Sequence, residues 1–432
     1  MPAAPSCPIT LPADTPALDL KGALDPTSGL LATLAQVPDP RARRGVRHRF
    51  FTVLALAVMA VLTGARGYTA IWRWSVQALP ETLHALDCHR STIPSESTFR
   101  RTLQALDPDE FTLIVSTWLA AHLNRIEELH QHRQARLRAA ETFINSPDTC
   151  GPKNSTVCVI AIDGKTVRGS RSANASDERS STHLLAAFHT DTATVLGQQV
   201  VDAKTNEITH LPTLVTSMHE RDLLPAGAVI TADALHTQRE SARTITNLGL
   251  HYAFTVKRNQ PKLHDHLTAL PWGKIPVAHS RTERGHGRIE ERHTALATIS
   301  DALGGLLDFP GARTAMRIVR RRRGLHQRPG QDSVEIVYAI TSLPMAEFQP
   351  DVLAGLIRRH WAVENQLHYV RDTAFDEDRC RARTGQGATV LACLRNLAIT
   401  ALRLLGQRNI RAALEHHSYD RTRPLRTLQR LS

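Results

Sequence analysis

The chain has 432 residues, 42% of them hydrophobic, with a formal charge of +12 and an isoelectric point near 9.9. That much apolar content argues against a disordered or fibrous chain, and the basic excess favours a polyanionic partner, most simply nucleic acid, over a basic protein with no such partner. Its six cysteines form no CxxC pair, which sets aside a zinc ribbon or a disulfide scaffold and points to a reducing compartment.

Residues 1–27, rich in Pro and Ala, are expected to be a disordered tail, without the basic-then-apolar order of a signal peptide. The most apolar run, "FFTVLALAVMAVL" at 50–62, is shorter than the ~20 residues a membrane span needs. It reads as a buried helix of a small domain, in a soluble cytoplasmic protein with no membrane partner. The pattern is helical from 28 to 123. "PDPRARRGVRHRF" (38–50) sets a basic cluster before the apolar helix, and "GYTAIWRWS" (67–75) follows it. "PSESTFRRTLQAL" (94–106) offers Ser95 or Ser97 as a cap, with Phe99 and Leu103 at i, i+4. Short helices carrying arginines suit a DNA-binding domain of the helix-turn-helix kind; the alternative is a packing domain with a solvated basic face. Residues 124–155 read as a polar connector.

The texture then changes to an α/β pattern. "TVCVIAID" (156–163), "HLLAAFHT" (183–190) and "TVLGQQVV" (194–201) predict three strands, the last two close enough to be antiparallel neighbours. A helix over 207–220, a strand at 226–234, a helix over 237–249 and a strand at 251–257 follow. The order β-β-β-α-β-α-β matches a ribonuclease H-like mixed sheet, a fold that needs one more helix. The chain is β-leaning from 262 to 345, which predicts an inserted β-rich subdomain. Residues 156–261 and 346–406 form the core in this reading, and 407–432 a basic carboxy-terminal tail.

In such a sheet the first and fourth strands are neighbours. Asp163 closes the first in "VIAIDGKTVRGS" and Asp233 closes the fourth in "VITADALHTQ". Glu364, in "HWAVENQLHYVRDTAFDEDRC" (360–380), arrives on the next helix and completes a group of three carboxylates. Taken singly, each is equally at home as a turn residue or half of an ion pair. Together they repel unless cations bridge them, and hard oxygen ligands suit Mg²⁺, with Mn²⁺ as a substitute. Two such ions promote phosphodiester cleavage and transfer. His360, Glu364, His368 and Arg371, at steps of 4, 4 and 3, are expected on one helical face beside an apolar stripe.

Other cationic groups are candidate DNA contacts. Lys165 and Arg168 follow Asp163 in a glycine-flanked loop, and Lys257 and Arg258 end a strand near the expected site. His286, Arg288 and Glu290 alternate onto one strand face, either reaching the site or forming a salt-bridged solvent face. Arg320, Arg321 and Arg322 belong to "RIVRRRR", the densest cationic run, whose alternative role is edge-strand protection. Lys204, Asn206 and Glu207 lie at a helix start, where Asn206 is a natural cap.

These blocks together resemble the DDE-type insertion-sequence transposases, in the subgroup that includes the H-repeat-associated proteins. "DPRARRGVRHRF" and "PSESTFRRTL" are similar to that family's associated amino-terminal domain. "AIDGKTVRGS", "AKTNEI", "ITADALHTQ", "FTVKRNQPKL", "ERGHGRIEER" and "HWAVENQLHYVRDTAFDEDRCRARTG" are similar to its successive catalytic blocks. The resemblance implies a ribonuclease H-like fold with a β-rich insertion. It also implies divalent-metal strand cleavage and transfer at transposon ends, with Asp163, Asp233 and Glu364 as the triad. It implies double-stranded DNA, both terminal repeats and target, as partner, and a homodimer at synapsis. His360, His368 and Arg371 would then face DNA phosphates. A wider signature of Tyr, Arg, Glu and Lys falls here on Ile357, His360, Glu364 and Arg371, so the Tyr is missing and an Arg replaces the Lys. A nuclease that cuts without joining is the alternative enzyme, and a transposase-derived DNA-binding protein without activity is the alternative of another class. An oxidoreductase is set aside, since no GxGxxG follows a strand.

Overall fold

Thirteen residues without a charge or a glycine, Phe50–Leu62, form a helix with no polar face, so it must be covered on every side. In the computed structural model, all of its side chains but Phe51 are buried. Thr52, its one hydroxyl, donates to the carbonyl of Leu86 at 2.9 Å. The structure describes residues 29–123, 157–171, 181–201, 207–299, 307–324 and 332–431, apart from positions 43, 45, 87, 89–92 and 286. The expected tail (1–27) and the whole of the expected connector (124–155) lie outside these residues.

The amino-terminal helices are α1 (Leu30–Ala35), α2 (Phe50–Leu62), α3 (Tyr68–Val76), α4 (Pro80–Ala85), α5 (Glu96–Ala105) and α6 over 108–123. Ser95 caps α5, accepting from the Thr98 amide at 3.2 Å, one of the two caps expected. Downstream lie α7 (His210–His219), α8 (Arg239–Asn247), α9 (Pro261–Ala269), α10 (Pro350–Val363), α11 (Tyr369–Phe375), α12 (Gly387–Leu404), α13 (Ile410–Tyr419) and α14 (Arg423–Arg430). Residues 407–432, expected to be a basic tail, instead hold two helices. Their apolar residues, Ile410, Leu414 and Leu428 among them, are buried, and α14 covers α2 together with α1 and α12. The Leu30 amide donates to the Leu431 carbonyl at 2.9 Å. One apolar cluster runs from α2 through α12 into the sheet, so the helices before residue 124 share their core with the rest of the chain. Helix α12 is long and apolar enough to cross a membrane, and it is packed inside the fold against α2, α5 and the third strand.

Among the described residues, nine strands form one sheet in the order β3-β2-β1-β4-β5-β9-β8-β7-β6. They are β1 (Val159–Val167), β2 (Thr182–His189), β3 (Thr194–Val201), β4 (Val229–Ala232), β5 (His251–Val256), β6 (Val277–Gly285), β7 (Arg288–Thr298), β8 (Thr314–Gly324) and β9 (Ser333–Thr341). The first three form an antiparallel meander, β1, β4 and β5 are parallel, and every later pairing is antiparallel. The β-leaning region 262–345 is not a separate subdomain in its hydrogen bonding. β9 pairs with β5, from Ala253↔Thr341 to Val256↔Tyr338, and carries the sheet onward. Helix α10 lies across β1, β4 and β5.

Two features fix the chain beyond α10. Glu377 is fully buried between Arg371 (Nε to Oε2, 2.8 Å) and Arg395 of α12 (Nη1 to Oε1, 2.8 Å). Gln198 of β3 accepts from both Arg371 and Asn396, and Arg395 also donates to the Arg66 carbonyl just before α3. Gly169, in the turn after β1, meets the turn after α11. A Cβ there would lie 2.2 Å from the Cys380 carbonyl oxygen, a backbone atom with no room to retreat. Gly169→Ala is therefore expected to destabilise the fold by about 1–3 kcal/mol, read as a lower urea midpoint with unchanged slope.

Candidate active site

Strands β1 and β4 pair in parallel as far as Ile162↔Ala232. β4 then stops, and Asp233 caps the turn Ala234–His236, its Oδ1 accepting from the Ala234 amide at 2.7 Å. Asp163 is the next residue along β1. The two aspartates thus stand side by side where the parallel strands open at their carboxyl ends, the usual position of a ligand cleft in such sheets. Asp163 does not close β1 as expected. The strand runs on to Val167 because its other edge keeps pairing with β2, from Asp163↔Ala186 to Val167↔Thr182.

Glu364 comes from the helix above. The chain from 350 to 375 is helical throughout, but Glu364–His368 forms one widened π turn between α10 and α11. Glu364 lines the same cleft as Asp163 and Asp233. Burial raises its pKa first, the Asp163 charge raises it further, His368 pulls it back, and Asp233 adds to the rise. His368 places Nδ1 3.3 Å from Asp163 Oδ2. His360 sits with Nδ1 3.4 Å from the Thr231 hydroxyl, and burial lowers its pKa against the opposing pull of Asp163 and Asp233. Lys257 Nζ lies 3.7 Å from Asp233 Oδ1.

The far wall of this cleft, about 1340 Å³ in volume, is one face of β6–β9. Strand pairing sets Arg281 opposite Arg292, Glu283 opposite Glu290, Glu290 opposite Arg322, and Arg292 opposite both Arg281 and Arg320. Charges therefore alternate along β6 and β7 while like charges face each other across three of these four pairs, and the ion pairs between strands run largely on the diagonal, Arg292 to Glu283 and Arg320 to Glu290. Glu290 is nearly buried and reaches Arg292 (2.5 Å), Arg320 (3.1 Å), Arg322 (3.5 Å) and Arg288 (3.7 Å). Burial opposes its ionisation, but Arg292, Arg320 and Arg322 outweigh that and lower its pKa. From the helix side, Arg358 pairs with Glu283, and Trp361 lies under the Arg320 guanidinium at 5.8 Å from its ring centre. Trp361 is 48% exposed, a large aromatic facing solvent three residues before Glu364.

The remaining candidates separate clearly. Arg288, Arg320 and Lys257 line the cleft, and Arg322 shares their face. Arg321 does not, because strand alternation turns it to the opposite side of β8. Lys165 is 9% exposed and held by Asp372 at 2.7 Å, Arg168 projects into solvent near Asp378, and Arg258 is exposed without lining the cleft. Arg371 is the main correction. Helical spacing places it on the face of Glu364, but it is fully buried on Glu377. The π turn explains this, because one wide turn shifts the register of every residue after it. His286, Lys204 and Asn206 lie outside the described residues. Sequence reasoning missed Arg281, Arg292, Arg358, Arg359 and Trp361 as cleft residues. The alternation in "HSRTERG" was the available signal for the first, and i, i+3 spacing before Glu364 for Trp361.

Asp163, Asp233 and Glu364 give an all-oxygen donor set of the kind that suits a hard divalent cation, and burial first, then the charges of the two aspartates, raise the Glu364 pKa. Their chemistry fits such an ion. Among the described residues, no three His, Cys, Asp or Glu side chains are drawn close enough to form a ready ligand set.

Comparison with known proteins adds independent findings. Residues 155–401 match the family described as "Transposase DDE domain", and residues 31–119 match the domain associated with it. The Escherichia coli (strain K12) protein named "H repeat-associated putative transposase YhhI" is 28% identical, across 86% of this chain and 90% of its own length. A Xanthobacter autotrophicus protein named only by its place in the dhlA 3′ region is 30% identical, across 71% of this chain and 92% of its own. Among solved structures, a piggyBac transposase synaptic complex with hairpin DNA aligns with a TM-score of 0.37 and 10% identity, across 94% of this chain and 78% of that one.

Proposed function

Because the chain belongs to the transposase DDE-domain family, of the H-repeat-associated kind, we propose that it cuts and joins DNA at the cleft between β1, β4 and α10. The observation that carries this reading is the side-by-side setting of Asp163 and Asp233 on neighbouring parallel strands, with Glu364 in the same cleft. The order β3-β2-β1-β4-β5 supports a ribonuclease H-like core for that part of the sheet. A Mg²⁺ or Mn²⁺ ion held by Asp163, Asp233 and Glu364 would supply Lewis acidity at the scissile phosphate and lower the pKa of an attacking hydroxyl.

The chain's own groups do the rest. His368 orients Asp163, and the Asp233 cap bond to Ala234 fixes its carboxylate beside it. The arginine wall of β6–β8 holds the phosphate backbone, and Glu290 keeps those guanidiniums spread and aimed. Water breaks a phosphodiester at the element's end and leaves a 3′-hydroxyl. That hydroxyl then attacks a target phosphodiester, displacing a new 3′-hydroxyl, so one bond forms as one breaks. Both steps share one in-line geometry and one cleft. The partners in this reading are duplex DNA carrying the terminal repeats, target DNA and a second copy of the chain, acting on nucleoid DNA in the cytoplasm. The helices of residues 30–123 would supply further DNA contacts.

The test is a Mg²⁺-dependent assay with DNA carrying the repeats that flank the coding region. Cleaved and joined products are expected; cleavage alone would favour a nuclease, and binding alone an inactive relic. The wall makes its own prediction. Arg288→Ala, and separately Lys257→Ala, should weaken duplex binding and flatten the slope of log affinity against log salt by about 1 each. A binding titration from about 50 to 200 mM salt, on the scale where such contacts are resolved, checks this. An unchanged slope would remove that residue from the phosphate path.

A further inference from the structure

His183, Glu207 and His236 lie apart from the reaction just described, yet together they touch both aspartate-bearing segments. Glu207 opens the single turn ahead of α7. Its Oε2 is 3.3 Å from Nε2 of His183, and its Oε1 is 3.2 Å from Nε2 of His236. His183 sits on β2 opposite Thr166 of β1, and its Nδ1 is 2.9 Å from the Thr166 hydroxyl. His236 ends the turn that Asp233 caps, and its ring is buried. Gly164, directly after Asp163, is where the carboxylate comes to rest. A Cβ there would lie 2.4 Å from Glu207 Oε1 and 2.6 Å from His183 Nε2, so a larger residue would have to push those side-chain ends aside. The close approach of His183 and the hydrogen bond with His236 bring the Glu207 carboxyl down to about 2 against the effect of burial, so it is charged at neutral pH.

We propose that Glu207 is a positioning residue: through His183 on one side and His236 on the other, it sets the spacing between the Asp163 strand and the Asp233 turn. Its effect on catalysis rests on the reading of those aspartates as the metal-holding pair; the mechanical coupling does not. Losing Glu207 frees both segments at once, and the two aspartates lose their common reference.

The experiment compares the full chain with Glu207→Gln by hydrogen exchange and by cleavage. Peptides covering Ile162–Thr166 and Ala232–His236 are expected to exchange faster together, with the global unfolding midpoint and end-DNA affinity unchanged. Exchange that rises in one segment only, or in neither, overturns the proposal. Cleavage should fall roughly 10–100-fold, the usual range for groups that orient ligands, and the Mg²⁺ concentration for half-maximal rate should rise. An unchanged Mg²⁺ requirement also overturns it. His183→Gln combined with Glu207→Gln should cost no more than Glu207→Gln alone, since both act through one link; additive losses would make them independent. If Glu207→Gln does not fold, His183→Gln carries the same exchange test. If the unaltered protein cuts no DNA, the reaction reading fails while the exchange arm still decides the coupling.

Discussion

Glu364→Gln is expected to abolish end cleavage and strand transfer while leaving DNA-end affinity within a few-fold of the unaltered protein. The substitution keeps the shape and removes one charge. Glu364 lies in the cleft of Asp163 and Asp233, close enough for each aspartate to raise its pKa, so it is part of the charge that holds a cation there. Its neighbours Val363 and Leu367 are buried and do the packing, so the fold does not lean on its carboxylate. Removing a group that holds the cation lowers the rate while leaving in place the arginines that bind the DNA backbone, and losses on the order of 10⁴-fold are usual for members of one catalytic unit. Asp163→Asn and Asp233→Asn should match it, and any two together should be no worse than one. The measurement is single-turnover cleavage in Mg²⁺ and in Mn²⁺, beside an equilibrium binding curve. Cleavage that survives in one variant would take that residue out of the triad.

Glu377→Ala should act in the opposite way, on stability first. Its carboxylate is the shared counter-ion of two buried guanidiniums, Arg371 and Arg395. Removing one partner of a buried pair leaves uncompensated charge in low dielectric and costs about 3–5 kcal/mol. For a chain of this size that is a fall in Tm of roughly 3–6 °C. Arg371→Met and Arg395→Met together with Glu377→Leu should recover part of the loss, because replacing all three groups with apolar ones strands no charge. The same group predicts acid behaviour. Burial raises the Glu377 pKa, but Arg371 and Arg395 outweigh it and bring it down to about 2, below the ordinary 4.5. The unfolded chain then binds the proton more readily than the folded one. The stabilisation is complete above pH 4.5 and is lost as pH falls through about 2. Glu377→Ala should lack that acid-dependent part of the stability curve, which a set of urea titrations from about pH 5 downward would reveal.

The aspartates were legible because a carboxylate at the end of an apolar strand breaks a strong pattern, and two such ends were one strand order apart. Arg371 was not, since helical periodicity assumes a constant turn and the π turn at Glu364–His368 leaves no mark in composition. The cationic run at 317–323 looks like one patch in the sequence. Strand alternation divides it, with Arg320 and Arg322 toward the cleft and Arg321 away. The hairpin of β6 and β7 reads only as one β-leaning stretch, so its cross-strand partners, Arg281 with Arg292 and Glu283 with Glu290, stay invisible. Pairing, unlike propensity, is a long-range fact. The carboxy-terminal helices are hidden by their charge, because the few apolar positions that seat them are spaced among arginines.

The cover of α2 has a consequence for synthesis. This helix leaves the ribosome early, with no charge of its own and no polar face. Part of its packing comes from α12 and α14, which begin more than 300 residues later. At elongation rates of roughly 5–20 residues per second, that gap lasts about 15–65 s. During it, a thirteen-residue apolar helix stands half-covered beside a growing sheet. Nascent chains should therefore engage a holding chaperone from the moment α2 emerges and let go only once α12 has been made, so the protein matures as a whole chain and not domain by domain.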